Sequence, residues 1–457
     1  MKRSGALVAS IGVTALVLVG CSPGEGSTAV EVTVAPSGLP VQGETLTYDP
    51  NRLVNDGEVI SLDWWLWDGD EVFQAFADAY TELHPNVEIS IVNQPWDDYW
   101  TKLPLALRDG SGPALFNIHN SHHDNLIGYL EPYDLPLDAL AADYLGVDAH
   151  LVDGQVHYLD YGLMTGLVYY NADMWARAGL TEDDHPATWD ELREVAQRLT
   201  VRDGDRLTQA GFSFNSLFRE FSLGLPYQEG QHLFAADMVT PDLDNPTMLS
   251  VVERFLDLYE VDQVGSKDFG PVADESFGQG QTAMIYTWGH FYGSLLEDYP
   301  DIDFGTFRTP VPDTGEEPYA YDRYNGESTT GINAGASAEE IAVAQDFVRF
   351  SLTHADLMRD LCLHYSVLPM YTALADDPAI AAHPVLSALG DVDRYIWPGP
   401  LPAAFESSVD VMWEDILYNG VEPAAALATA QQTVEREIAH DGFVSRENHY
   451  AAYPAER

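Results

Sequence analysis

The chain has 457 residues and an ordinary apolar fraction of 46%, which argues against global disorder and for two lobes rather than one core. Its 73 acidic and 21 basic side chains leave a formal net charge of −52, a field that repels nucleic acid and anionic head groups. Such a charge speaks for solubility and does not select a ligand.

At the N-terminus, Lys2 and Arg3 precede an apolar run over 5–20 that is too short for a permanent membrane helix, the pattern of an export signal. The run closes on Leu18-Val19-Gly20-Cys21, which resembles the bacterial lipobox. That resemblance implies a lipoprotein signal peptide over 1–20 and an acylated Cys21, with an ordinary secretory signal as the alternative. Cys362, in an apolar run, then has no disulfide partner within the chain and reads as a small buried hydrophobe. Residues 21–55, rich in Gly, Ser, Thr and Pro, read as a flexible tether.

A first strand is predicted over 59–67, closing on Trp64, Trp65, Leu66 and Trp67 before the turn Asp68-Gly69-Asp70. Val72, Phe73, Phe76, Tyr80 and Leu83 then recur at helical spacing, His84-Pro85 stops the helix, and 87–92 alternates as a second strand. This β-α-β order predicts a parallel pair with a covering helix. A helix over 99–107, the breaker Gly110-Ser111-Gly112-Pro113 and a short strand over 114–118 follow.

Asp153-Gly154 supplies a tight turn, after which 155–160 and 166–171 read as short strands separated by a glycine-flanked loop, 161–165. We read this stretch as a crossover between lobes, with Asp160 and Tyr161 at the cleft and Gly331-Ile332-Asn333-Ala334 carrying the chain back. Thr188 with Glu191 and Ser337 with Glu340 are capping boxes that open two helices.

Several of these segments together resemble extracellular solute-binding protein family 1, the carbohydrate-binding lipoproteins of ABC importers. The resemblance rests on Tyr99, Lys102, Leu103, Ala106, Gly110 and Pro113; on Asp153-Gly154 through Tyr170-Asn171-Ala172-Asp173; and on Ala178-Gly179-Leu180 with Thr188-Trp189-Asp190-Glu191. Phe277, Gly280, Ala283 and Met284 continue it, as do Ala344, Phe347, Phe350, Leu352 and Thr353. The chain departs from the pattern at Asp160, where a proline is common, at Ala172, where a lysine is, and at Ala114, where an aspartate is.

The resemblance implies an α/β, two-lobe periplasmic-binding-protein-like fold, each lobe a mixed sheet flanked by helices, with the ligand cleft between them. The division expected is 56–162 and 326–375 for an N-terminal lobe, 163–325 and 376–457 for a C-terminal one. It further implies a monomer tethered to the extracellular face of the bacterial membrane, a carbohydrate ligand, and ABC permease subunits with their ATPase as partners. No cofactor, metal or nucleic acid is implied.

Sugar rings stack on aromatic faces and their hydroxyls bond to fixed polar groups, and ligands of open α/β sheets lie beyond the carboxyl ends of strands. Trp67 and Asp68 are therefore candidates, while Trp64 and Trp65 read as core. Asp98 is a candidate whose plainer role is a helix-start charge. In His119-Asn120-Ser121-His122-His123-Asp124 the resemblance favours His119 and Asn120 as hydrogen bonders over a zinc site, which would need the histidines on one helix face. Trp288 and His290 compete as the stacking group. Arg323, beside Tyr324 and Glu327, and Trp397, in the stiff loop 395–400, complete the set; a loop charge and a loop pin are their alternatives. Two rival functions stand beside sugar capture: a lipid-anchored glycoside hydrolase using Asp97 or Asp98, and the same fold binding a cationic ligand such as a polyamine. Nucleophile-elbow, P-loop and dinucleotide motifs do not occur in the context they require.

Overall fold

The computed structural model describes residues 37–270, 272–390, 393–439 and 443–447; the signal segment and Cys21 lie outside the described residues. Strand β1 (Ile60–Leu66), helix α1 (Asp70–Leu83) and strand β2 (Val87–Asn93) form the expected right-packed unit, with β1 and β2 parallel from Ile60↔Val87 to Leu66↔Asn93. Helix α2 (Trp96–Asp109) ends on Gly110 in the left-handed region, and strand β3 (Leu115–His119) returns parallel to β1.

The predicted loop at 161–165 is strand. Asp160–Asn171 forms one continuous twelve-residue strand, β4, and 155–156 belongs to a separate small hairpin. Gly162 and Gly166 had suggested a loop, but they mark close packing instead. A Cβ at Gly162 would fall on Val367 and one at Gly166 on the Tyr286 hydroxyl.

Beyond β4, the Thr188 capping box opens α3 (Trp189–Leu199), and Phe218–Gly224 forms α4. Strands β5 (Met284–Trp288) and β6 (Phe304–Phe307) pair antiparallel with the second half of β4. Strand β7 (Asp322–Ile332) pairs antiparallel with the first half of β4, Tyr324↔Thr165 through Ser328↔Asp160, and then with β3. β4 and β7 thus carry one nine-stranded sheet through both lobes. The Ser337 capping box opens α5 (Ala338–Thr353), and α6 (Ala403–Asn419) and α7 (Pro423–Ile438) follow later in the chain.

Two large cores flank the sheet. Leu62, Trp64, Phe76, Phe347 and Phe350 belong to the first, Trp189, Phe214, Phe255 and Trp413 to the second. A smaller aromatic cluster, Tyr99, Phe116, Ile118 and Tyr158, lies under Trp65, Trp67 and Trp100. Alternation along β1 explains the split: Trp64 turns to the first core, Trp65 and Trp67 to the other face.

The segment expected to be tether up to residue 55 is packed against the first core in its latter part. Leu46, Tyr48 and Val54 are buried there, and the Thr45 and Leu46 amides donate to Asp143. Buried Asp346 of α5 accepts from Tyr80 at 3.0 Å and Tyr48 at 3.3 Å, and pairs with Arg52. Sparse apolar residues sufficed here because each finds a prepared place on the lobe.

Candidate functional site

The carboxyl ends of β1, β2 and β3 converge on one aromatic patch. Trp67 follows β1, Trp96 opens α2 after β2, and His119 ends β3. The Trp67 ring centroid lies 5.4 Å from Trp96, 5.2 Å from Trp100 and 6.4 Å from His119. His122 stacks on Trp100 at 3.8 Å, with 7° between planes.

Strand β7 runs beside this patch, and its register against both β3 and β4 breaks just after Glu327, the irregularity that re-aims a side chain. Glu327 stands opposite both His119 and Gly162 and accepts from Asn325 Nδ2 at 3.0 Å. Asn325 Nδ2 also lies 3.4 Å from His119 Nε2. Burial, then the Asp160 and Asp68 charges, push the Glu327 carboxyl up to about 7 against the Asn325 bond. Burial, with His122 and Arg219 adding to it, pushes His119 down to about 3, so that ring is neutral.

Charged groups gather on α4, α6 and β7. Arg219, at the start of α4, lies 3.2 Å from Glu220, 3.6 Å from Glu406 and 3.0 Å from Asp410. Arg323 is 4% exposed, with its guanidinium carbon 5.0 Å from the Trp288 ring centre. Its neighbour Asp322 is wholly buried, accepts from Tyr286, Thr309 and the Arg323 amide, and is pushed by burial up to about 6.

Seven of the eleven expected ligand residues lie at or just past the ends of β1, β3 and β5 or on β7. Trp67, Trp288 and His119 are half-buried, Asp68 and His290 exposed, Asn120 and Arg323 buried. Asp98 is exposed and bonded to Lys102 at 2.9 Å, one turn on along α2, as the helix-start alternative requires.

The remaining three are interior and are corrected here. Asp160 is 0% exposed, paired with His150 Nε2 at 3.2 Å and bonded by the Ser328 hydroxyl at 3.2 Å. It closes the β4–β7 crossing, since a Cβ on neighbouring Gly326 would fall on its carboxylate. Tyr161 is buried in the first core, its carbonyl facing the Cys362 thiol. Trp397 is 0% exposed and 5.7 Å from the His150 ring, inside the fold and not on a surface that could close over a ligand.

The histidine run does not converge: His119 turns to Ser121, His122 to Trp100 and His123 to the Tyr158 hydroxyl at 2.7 Å. Missed from sequence were Trp96, Trp100, Arg219, Glu220, Glu406 and Asp410. Trp96 and Trp100 carried a signal, two indoles four apart on a helix that starts at a strand's carboxyl end. The acidic residues carried none, because a chain this acidic offers carboxylates everywhere.

The comparisons accord with this geometry. The chain is 23% identical over 364 residues to a maltotriose-binding protein of Pyrococcus abyssi, covering 77% of this chain and 76% of that one. It is 24% identical to the diacetylchitobiose binding protein DasA of Streptomyces coelicolor, over 65% of this chain and 70% of that one. Among solved structures, the maltose/maltodextrin-binding domain MalE of Bdellovibrio bacteriovorus bound to maltotriose superposes with a TM-score of 0.70 at 20% identity, covering 83% of this chain and 100% of that one. The two-lobe fold is therefore that of the binding proteins. Residues 67–357, more than half of the chain, match the model of one family, and the protein belongs to it: the bacterial extracellular solute-binding proteins.

Proposed function

We propose that this protein is a binding protein without catalytic activity, capturing a carbohydrate between its lobes and handing it to the permease of an ABC importer. The observation that carries the reading is the meeting of an indole patch, Trp67 with Trp96 and Trp100, and a fork of fixed hydrogen-bonding groups, Arg219, Glu220, Arg323 and Asn325. Aromatic faces receive the C–H side of a sugar ring, and charged planar groups bond its hydroxyls in set directions. The relatives named for maltotriose and diacetylchitobiose support the ligand class.

In this reading Trp67, Asp68, His119, Asn120, Trp288, His290 and Arg323 touch ligand, and Asp98 lies at the rim. The lobes divide as 56–162 with 326–375 and 163–325 with 376–457. Closure bends the paired stretches 160–165 and 325–331, and ligand favours the closed form because it contacts both lobes. The protein works as a monomer, held to the outer membrane face by lipid on Cys21 after removal of 1–20.

A second reading has its own observation. Asp68, Glu220, Glu327, Glu406 and Asp410 outnumber Arg219 and Arg323 along the cleft, which suits a cationic ligand. Calorimetric titration with malto- and chito-oligosaccharides and with spermidine separates the two. Sugar binding that is lost in Trp67→Ala supports carbohydrate capture; heat from spermidine alone overturns it.

A further inference from the structure

Arg323 is a buried cation that the protein leaves unanswered. The residue is 4% exposed, its Nε is buried without a hydrogen-bond partner, and among the described residues no carboxylate forms an ion pair with its guanidinium. In a chain with 73 acidic and 21 basic side chains this is unusual. Arg52, Arg193, Arg219 and Arg254 each pair with a carboxylate. An arginine keeps its charge in a protein, and a buried charge without a partner is costly.

The side chain is nonetheless held in place. Tyr324 pairs with Thr165 and Trp288 with Gly166, adjacent residues of β4, which brings Arg323 and Trp288 to the same point of the sheet. The Thr165 hydroxyl donates to the Arg323 carbonyl at 2.8 Å. A Cβ on Gly224 of α4 would lie 3.3 Å from Arg323 Cγ, so that helix walls the aliphatic stem. The guanidinium carbon lies 5.0 Å from the Trp288 ring centre, a cation on an indole face.

The carboxylates of the site are engaged elsewhere. Asp322 accepts from the Tyr286 and Thr309 hydroxyls and from the Arg323 amide. Glu220, Glu406 and Asp410 surround Arg219. Glu327 shares a face of β7 with Arg323, in unbroken register over Tyr324–Glu327, and accepts from Asn325. Four residues of strand set the two charges ~13 Å apart.

We infer that the ligand supplies the missing anion: the saccharide captured carries a carboxylate, as a uronic acid unit does, and Arg323 is the residue that reads it. One guanidinium presents a single positive charge in a planar fork, which matches a carboxylate. A phosphate monoester, with up to two negative charges, calls for a second cation, and Arg219 is already shared by three carboxylates. This rests on the carbohydrate reading and deepens it by naming an acidic sugar in place of a neutral one.

The test is calorimetric titration of wild type and Arg323→Gln with glucuronate, galacturonate and mannuronate oligomers, with their methyl esters, with neutral malto- and chito-oligosaccharides, and with glucose 6-phosphate. Acid and ester share every ring and hydroxyl and differ only in the charge. Wild type is expected to bind one acid about tenfold or more tighter than its ester, and Arg323→Gln to lose that difference by weakening on the acid alone. The melting temperature checks that the variant is folded; if it is not, the acid–ester comparison in wild type decides without it. Equal affinity for acid and ester, or binding of neutral sugars alone, overturns the inference and leaves carbohydrate capture standing. A preference for the acid that survives in folded Arg323→Gln overturns the role of Arg323. Binding of the sugar phosphate and of no uronate overturns the carboxylate. If no saccharide of any kind binds wild type, the carbohydrate reading itself falls, and the acidic sugar with it.

Discussion

Arg446 and Glu447, adjacent in the chain, bind residues of two different cores. The Arg446 guanidinium donates to the carbonyls of Ala149 and Leu151, just ahead of β4. The Glu447 carboxylate accepts from the Tyr227 hydroxyl at 2.6 Å and from the Leu233 and Phe234 amides at 2.7 and 3.3 Å, all in the second core. Ser445 holds the turn by donating its amide to the Met238 carbonyl. A strap thus ties the first core to the second.

Glu447→Ala leaves three buried donors without that acceptor, and each orphaned group carries a desolvation cost. Unfolding by urea should show a loss of about 3 kcal/mol, with Glu447→Gln losing less. A variant as stable as wild type would mean that the strap contributes nothing to the fold.

Glu327 makes stability depend on pH in a defined direction. Its carboxyl holds a proton up to about pH 7 in the fold, against 4.5 for an ordinary glutamate. The folded chain therefore binds more protons between those values, and this group's contribution falls as pH rises through them. The buried histidines, with pKa values pushed down by burial, act in the opposite sense below 6.5. The difference between wild type and Glu327→Gln isolates the carboxyl. From pH 5 to pH 8 the variant should gain on wild type by ~2 kcal/mol, since the group is partly screened by solvent. Urea midpoints across that range decide it.

The N-terminal arm offers a sharper deletion test. A chain beginning at residue 38 keeps this packing, while one beginning at 56 loses Leu46, Tyr48 and Val54 from the first core and the Arg52 partner of buried Asp346. Loss of those side chains should cost several kcal/mol, on the order of two or three core truncations. Equal melting temperatures would return the arm to the status of tether.

Gly166→Ala tests the reading of β4. The added methyl falls on the Tyr286 hydroxyl, which is bonded to Asp322 at 2.9 Å and has no slack. A cost of about 3 kcal/mol in thermal or urea unfolding is expected from this overpacking. A neutral substitution would mean the strand gives way easily at its centre.

Much of the fold was legible because local signals agreed with each other. The β1–α1–β2 unit, the capping boxes at Thr188 and Ser337, and the burial of Trp64 against the exposure of Trp67's side all follow from period and spacing. Glycine misled: Gly162 and Gly166 signal a turn in isolation and close packing in context, and only the partners Val367 and Tyr286, far along the chain, tell the two apart. The candidate site was half legible. Strand ends pointed to Trp67, Asp68, His119 and Trp288. Asp160, Tyr161 and Trp397 were misplaced because polarity and aromaticity near a crossing say nothing of depth, and depth is set by Gly326, Ser328 and His150.

The sheet that runs unbroken through β4 and β7 has a consequence for how the molecule comes apart. The two halves share one strand: removing the second half of β4 strips β5 and β6 of their partner, and removing the first half takes from β7 one of its partners and leaves it on β3. Two lobes joined through shared strands must melt as one. Calorimetry should record a single endotherm whose measured enthalpy equals its van't Hoff value, in place of the two staggered transitions that independent domains would give.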